Sequence, residues 1–162
     1  MSSVIIPSAN LDLILQTPDE ALAWVESLPP ADRAEVSPDW IARVRTTVAG
    51  DPWALSYTAV ERSTGTTVGG CAFKGPPVDG IVEVAYGIDE AHRGKGFATE
   101  AAGAMTEFAF ASGQVQTVRA HTKPENGASG RALAENRFRQ IGEVIDPEDG
   151  LVTRWERDKA DQ

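Results

Sequence analysis

Residues 83–98, Glu83-Val84-Ala85-Tyr86-Gly87-Ile88-Asp89-Glu90-Ala91-His92-Arg93-Gly94-Lys95-Gly96-Phe97-Ala98, decide how this chain is read. The segment Ile81 to Ile88 (IVEVAYGI) predicts a strand, and a helix is expected from about 96 to 111 (GFATEAAGAMTEFAFA). Between them lies a basic turn with two glycines. Glycine lets backbone approach a ligand without a side chain in the way, and the first amides of a helix have no intrahelical partner. With the positive end of the helix dipole they form an anion cradle, to which Arg93 and Lys95 add formal charge. A pyrophosphate is the natural guest, although turns of this composition also begin helices that bind nothing.

Working outward, the first candidate strand, 11–16, ends at Thr17-Pro18. Thr17 is placed to cap a helix over 18–28, with Pro18 at its first position, Asp19 and Glu20 in its first turn, and Pro29-Pro30 as its stop. A second helix is expected after Ser37, running to about Ala49. Residues 54–62 and 66–74 alternate like two strands joined across Ser63-Thr64-Gly65. Beyond the central helix come a strand at 115–121, a helix at 127–136 and closing strands at 140–145 and 151–156. The order predicts an α/β fold, a mixed sheet with helices packed on it.

At 162 residues, one domain spanning 1–162 is expected. No apolar run approaches the ~18 residues of a membrane span. The opening MSSVIIPSANLD lacks the pattern of a secretory signal, so a cytoplasmic location and no membrane partner are expected. Cys71 is the sole cysteine, which excludes an internal disulfide, and His92 and His121 show no HExxH spacing, so no metal is expected. Cys71 reads as a small core residue. A net charge of −9 argues against nucleic acid as the main partner and suits a cationic substrate.

Two nucleotide-binding patterns are missing: there is no GxxxxGK[ST], and no GxGxxG with a later acidic ribose ligand in a parallel βαβ unit. What remains is R-x-x-G-x-A, read as Arg93, Gly96 and Ala98, followed by PENGASGRALAENRF over 124–138 with Asn126, Ser129, Leu133 and Phe138 spaced as N-x-x-S-x-x-x-L-x-x-x-x-F. In these two segments, and over about 11–156, the chain resembles the GNAT superfamily of N-acetyltransferases, in particular the ribosomal-protein alanine N-acetyltransferase subgroup.

That resemblance implies a single-domain, mostly antiparallel, splayed sheet of six to seven strands with about four helices, in which strands 81–88 and 115–121 part to admit a pantetheine arm. It implies acetyl-CoA as acetyl donor and an amine as acceptor. The backbone of Tyr86, Gly87 and Ile88 would pair with pantetheine amides, and Arg93, Gly94, Lys95, Gly96, Phe97, Ala98 and Thr99 would hold the pyrophosphate. Asn126 and Ser129 would reach the pantetheine or thiol end. Helices over about 18–49 would wall the substrate side, against a cofactor core over about 54–156, with Trp24, Trp40 and Trp53 as core or pocket wall.

Transfer to an amine needs a neutral nucleophile, a stabilised oxyanion and a proton for the departing thiolate. Glu83, alone among apolar strand neighbours, is the candidate base; the bland alternative is a strand carboxylate facing solvent or an arginine. Leu133 stands where many relatives have a tyrosine, which leaves Ser129, a water or the substrate ammonium as proton source. Arg137 stands where relatives have glycine, and a different helix cap is expected there. His92 reads as an exposed turn residue and His121 as a strand end near the cleft. The acceptor stays open between a protein N-terminus and a small amine. A catalytically weak acyl-CoA-binding module and a longer acyl donor remain alternatives, as do monomer and homodimer.

Overall fold

The computed structural model describes residues 4–147 and 149–161. Local signals account for most helix starts. At α1 (Pro18–Ser27) the Thr17 side chain accepts from the Glu20 amide at 3.1 Å, and the Thr17 amide donates to the Glu20 carboxylate at 3.0 Å. This reciprocal box satisfies two donors that would otherwise be orphaned. The expected stop at Pro29-Pro30 is also a start: Pro30 opens a short helix, α2 (Pro30–Glu35), and Arg33 donates back to the carbonyls of Glu26 and Leu28. Helix α3 (Pro38–Thr46), capped by Ser37, ends three residues before Ala49. There the hydroxyls of Thr46 and Thr47 take the Arg43 carbonyl at 3.1 and 2.6 Å, and Thr47 leaves helical geometry with ψ 135°.

The strands are β1 (Ile5–Pro7), β2 (Leu11–Leu15), β3 (Tyr57–Glu61), β4 (Thr66–Phe73), β5 (Ile81–Ile88), β6 (Thr117–Thr122), β7 (Arg139–Asp146) and β8 (Gly150–Asp158). They form one sheet in the order β1-β2-β3-β4-β5-β6-β8-β7. Every neighbouring pair is antiparallel except β5–β6, which is parallel. That pair is in register only from Ile81, Val82 and Glu83 to Thr117, Val118 and Arg119. Beyond it the strands diverge, and the cleft they leave is the fold's most consequential feature. The short β1 brings the strand count among the described residues to eight, one above the expected range.

Helix α4 (Phe97–Ala111) packs across β5, and α5 (Gly127–Glu135) packs on α4. Leu11, Leu13, Tyr57, Val68, Met105 and Val118 are fully buried between these layers. Cys71 is in this core too, and burial pushes its thiol up to about 12, as an inert interior residue requires. In the first turn of α4, Glu100 accepts from the Ser8 hydroxyl and the Asn10 and Leu11 amides, tying the β1–β2 turn to the helix. Burial pushes this carboxyl up, but the hydrogen bonds prevail and hold it below the usual range. A lowered folded pKa stabilises above the unfolded value of about 4.3, and that stability fades as pH falls through the folded value. The difference in melting temperature between wild type and Glu100→Gln is therefore expected to be largest near neutrality and to shrink on acidification. A constant gap would contradict it.

Arg137 corrects the expectation of a different cap. Its φ is 65°, the left-handed geometry that glycine favours. The Arg137 amide donates to Ala134 O and the Phe138 amide to Leu133 O, both at 3.0 Å, which is the Schellman pattern closing α5. Phe138 and Leu133 are both buried beneath it. The geometry is retained and an L side chain is strained into it. Arg137→Gly is expected to stabilise the fold by about 1 kcal/mol. An unchanged or lowered melting temperature would show that the arginine side chain compensates.

Candidate functional site

Two structural facts leave the backbone donors of the 93–98 turn free and accessible. Gly94 and Gly96 both have φ 82°, so the chain turns left-handed twice, the kind of backbone that can form an anion-binding concavity. Among the described residues no protein group accepts from the amides of Gly94 through Thr99, and α4 has no side-chain cap; the first paired amide is that of Glu100, to Gly96 O at 3.1 Å. A Cβ at Gly94 or Gly96 would meet no protein atom within 4 Å, so the space over these donors is open.

The expected anion ligands divide by placement. Lys95 is exposed beside the cradle, while Arg93 turns its Nε back to Ile88 O at 3.0 Å and lines the cleft mouth. Phe97 is buried as an anchor of the helix start, and Ala98 lines the cleft. Thr99 sends its hydroxyl to Glu135 at 3.0 Å, leaving only its amide toward the turn. His92 is half-buried, with an Nδ1 that is shielded and unpartnered, unlike the exposed turn residue expected.

Where β5 and β6 part, two cavities open. One of about 390 Å³ is lined by Tyr86, Gly87, Ile88, Asn126 and Ser129, and one of about 210 Å³ by Val84, Tyr86, His121, Asn126, Ser129 and Leu133. The larger is within the range of small-molecule sites. Asn126 caps α5 by accepting from the Ser129 amide at 3.2 Å, which fixes both residues at the cleft. From the opposite wall, the Tyr86 hydroxyl donates to Ser129 O at 3.1 Å. Burial pushes that phenol up to about 12 against the opposing effect of this hydrogen bond, so it remains protonated at neutral pH. Leu133 is wholly buried at the cleft floor.

Glu83 stands at the last point of β5–β6 pairing. Its Oε2 lies 3.0 Å from His121 Nδ1 and 3.3 Å from Lys74 Nζ. The other ring nitrogen of His121, Nε2, accepts from Arg154 Nε at 3.1 Å. An arginine can only donate, so Nε2 must offer its lone pair and the ring hydrogen of a neutral tautomer sits on Nδ1. Arg154 thus sets the ring orientation of His121, and no hydrogen bond to Glu83 Oε1 is formed among the described residues.

A model of the acetyltransferase (GNAT) domain matches residues 8–139 of the chain. The chain belongs to the GNAT family. A curated relative, an uncharacterized N-acetyltransferase p20 from Bacillus licheniformis, is 29% identical over 96 residues, 59% of this chain; the match spans 54% of that relative's length. Solved structures show the same GNAT fold at low identity. The ribosomal-protein-S5-alanine acetyltransferase of Vibrio fischeri superposes with a TM-score of 0.75 at 16% identity, covering 98% of each chain. A ribosomal L7/L12 α-N-protein acetyltransferase in complex with coenzyme A gives 0.69 at 20% identity, covering 96% of this chain and 98% of that one. The aminoglycoside acetyltransferase AAC(6′)-Ib, with coenzyme A and kanamycin, gives 0.64 at 19%, covering 93% and 95%.

In this GNAT domain, then, the cleft is bordered by Arg93 and Ala98 at one end and by His121, which Glu83 contacts, at the other. Sequence reading missed the fixed tautomer of His121 and the parts of Lys74 and Arg154. Alternation along 117–122 places Arg119 and His121 on one strand face, a signal that was available. Their partners on β8 depend on register, which no local pattern declares. Among the described residues no grouping of three or more His, Cys, Asp or Glu is placed to hold a metal, and no helix is long and apolar enough to cross a membrane.

Proposed function

We propose that this GNAT domain is an acetyl-CoA-dependent N-acetyltransferase that moves the acetyl group to a primary amine by direct attack within a ternary complex. The observation that carries the reading is the run of unpartnered amides from Gly94 to Thr99 at the head of α4, opening into the β5–β6 cleft. These amides hold the pyrophosphate, the free edge of Tyr86, Gly87 and Ile88 pairs with the pantetheine arm, and Asn126 and Ser129 flank the thioester. Glu83 Oε1 accepts the proton as the amine nitrogen bonds to the acetyl carbon. As the carbon–sulfur bond breaks, the thiolate takes a proton from the Ser129 hydroxyl, a water or the former ammonium. Leu133 has no proton to give, and Tyr86 commits its own to Ser129 O.

Coenzyme A in the complexes of two fold neighbours supports the donor, and the amine acceptors named for those neighbours, protein N-termini and an aminoglycoside, support the acceptor class. Helices α1–α3 wall the acceptor side within the same single domain, with Trp24 and Trp40 edge to face at 6.5 Å as an aromatic surface. Thiol release from acetyl-CoA across a panel of peptide and small amines tests the proposal. Turnover on at least one amine is expected. Tight binding of acetyl-CoA without turnover on any of them would instead make this a binding module.

A further inference from the structure

The face of the sheet that carries Glu83 is a row of charged pairs. Glu83 and Arg119 are in register on β5 and β6, and the same face of β8 supplies Arg154, Glu156 and Asp158. Lys74 pairs with Glu83, Arg119 with Glu156 at 2.7 Å and Arg139 with Asp158 at 2.9 Å. Arg154 breaks the pattern. It is half-buried, its Nε is spent on His121, and among the described residues no carboxylate pairs with it. Its two amino groups have no protein acceptor, and neither is sealed from solvent.

A half-buried guanidinium with its fork free is a receptor for a carboxylate, because two parallel N–H groups match the two oxygens. One imidazole ring separates this fork from Glu83. The distance from an amine at Glu83 Oε1 to an anion at Arg154 therefore suits one small molecule or one residue. The chain's net charge of −9 suits a cationic acceptor, but strand pairing gathers Lys74, Arg119, Arg139 and Arg154 on this face beside Glu83, Glu156, Asp158 and Asp146. Local charge governs recognition at contact distance, where bulk charge is screened.

We propose that the acceptor is a primary amine bearing a carboxylate, bound with the amine at Glu83 and the carboxylate on Arg154. The inference rests on the acetyl-transfer reading above and names its substrate class. Arg154 then has two duties: Nε orients His121, and the amino groups select the acceptor.

The experiment compares matched acceptors that differ only in that charge: glycine with glycinamide, β-alanine with β-alaninamide, and one peptide sequence beginning with Asp or Asn. Each pair is compared at equal concentration of free amine with saturating acetyl-CoA. The first two pairs report a free amino acid and the third an acidic peptide N-terminus. A charge-assisted contact is expected to give roughly a 10- to 100-fold preference in kcat/KM for the carboxylate member of at least one pair. Arg154→Met should bring that ratio near one with the KM for acetyl-CoA unchanged, and Arg154→Lys should keep part of it. Loss of His121 orientation alone would lower kcat for both members equally and leave the ratio intact. Turnover with equal kcat/KM for both members of every pair overturns the carboxylate inference alone. No turnover on any amine, with acetyl-CoA still bound, overturns the transfer reading beneath it.

Discussion

Gly96→Val is expected to weaken acetyl-CoA binding by at least about 100-fold while leaving the protein folded. The free protein has room for the new side chain, since no atom lies within 4 Å of a Cβ at this position. Valine does meet a backbone penalty of about 1–2 kcal/mol at φ 82°, which a domain of this size survives. The larger loss falls on the ligand. The branched side chain fills the concavity over the amides, and each hydrogen bond to a charged oxygen is worth about 1.5–3 kcal/mol, so losing two removes two or more decades of affinity. Calorimetric titration with coenzyme A reads the change, and circular dichroism confirms the fold. An unaltered Kd would mean that the diphosphate lies elsewhere.

Glu83→Gln is expected to lower kcat by about 10²–10⁴-fold with little change in the KM for acetyl-CoA, the signature of a lost proton acceptor. The tautomer of His121 is set by Arg154 and survives the change. The ion pair with Lys74 disappears, but that lysine is 52% exposed and the pair contributes little. A variant that retains wild-type kcat at its optimal pH would reduce Glu83 to an anchor of the sheet.

The cradle and most of the architecture were legible because their causes are local. A strand, two glycines and a helix start sit in one stretch, and Thr17 with Glu20 announces its helix through residues three apart. Strand β1 was missed because three residues, Ile5–Pro7, are too few for alternation to register. Helix α2 was missed because Pro30 was read only as a stop. Arg137 shows the limit of inferring geometry from residue type: an L residue there implied a changed cap, yet the Schellman bonds and the packing of Phe138 on Leu133 hold the left-handed turn regardless.

At the site, Glu83 and His121 were each notable alone, but their contact depends on where parallel pairing of β5 and β6 stops. Lys74, Arg119, Arg139 and Arg154 gather on the Glu83 face through strand pairing, which composition cannot show.

The most direct test of the central claim, that the Gly94–Thr99 amides grip a diphosphate at the mouth of the split sheet, is a thermal shift series with acetyl-CoA, free coenzyme A and ATP at equal concentrations. A ligand that binds only the folded state stabilises it by RT ln(1 + [L]/Kd), which ranks the three without knowledge of the acceptor. Acetyl-CoA and coenzyme A should both raise the melting temperature well above the effect of ATP, which lacks the pantetheine arm that the cleft accommodates. No shift with either coenzyme, or a larger shift with ATP, would contradict the account.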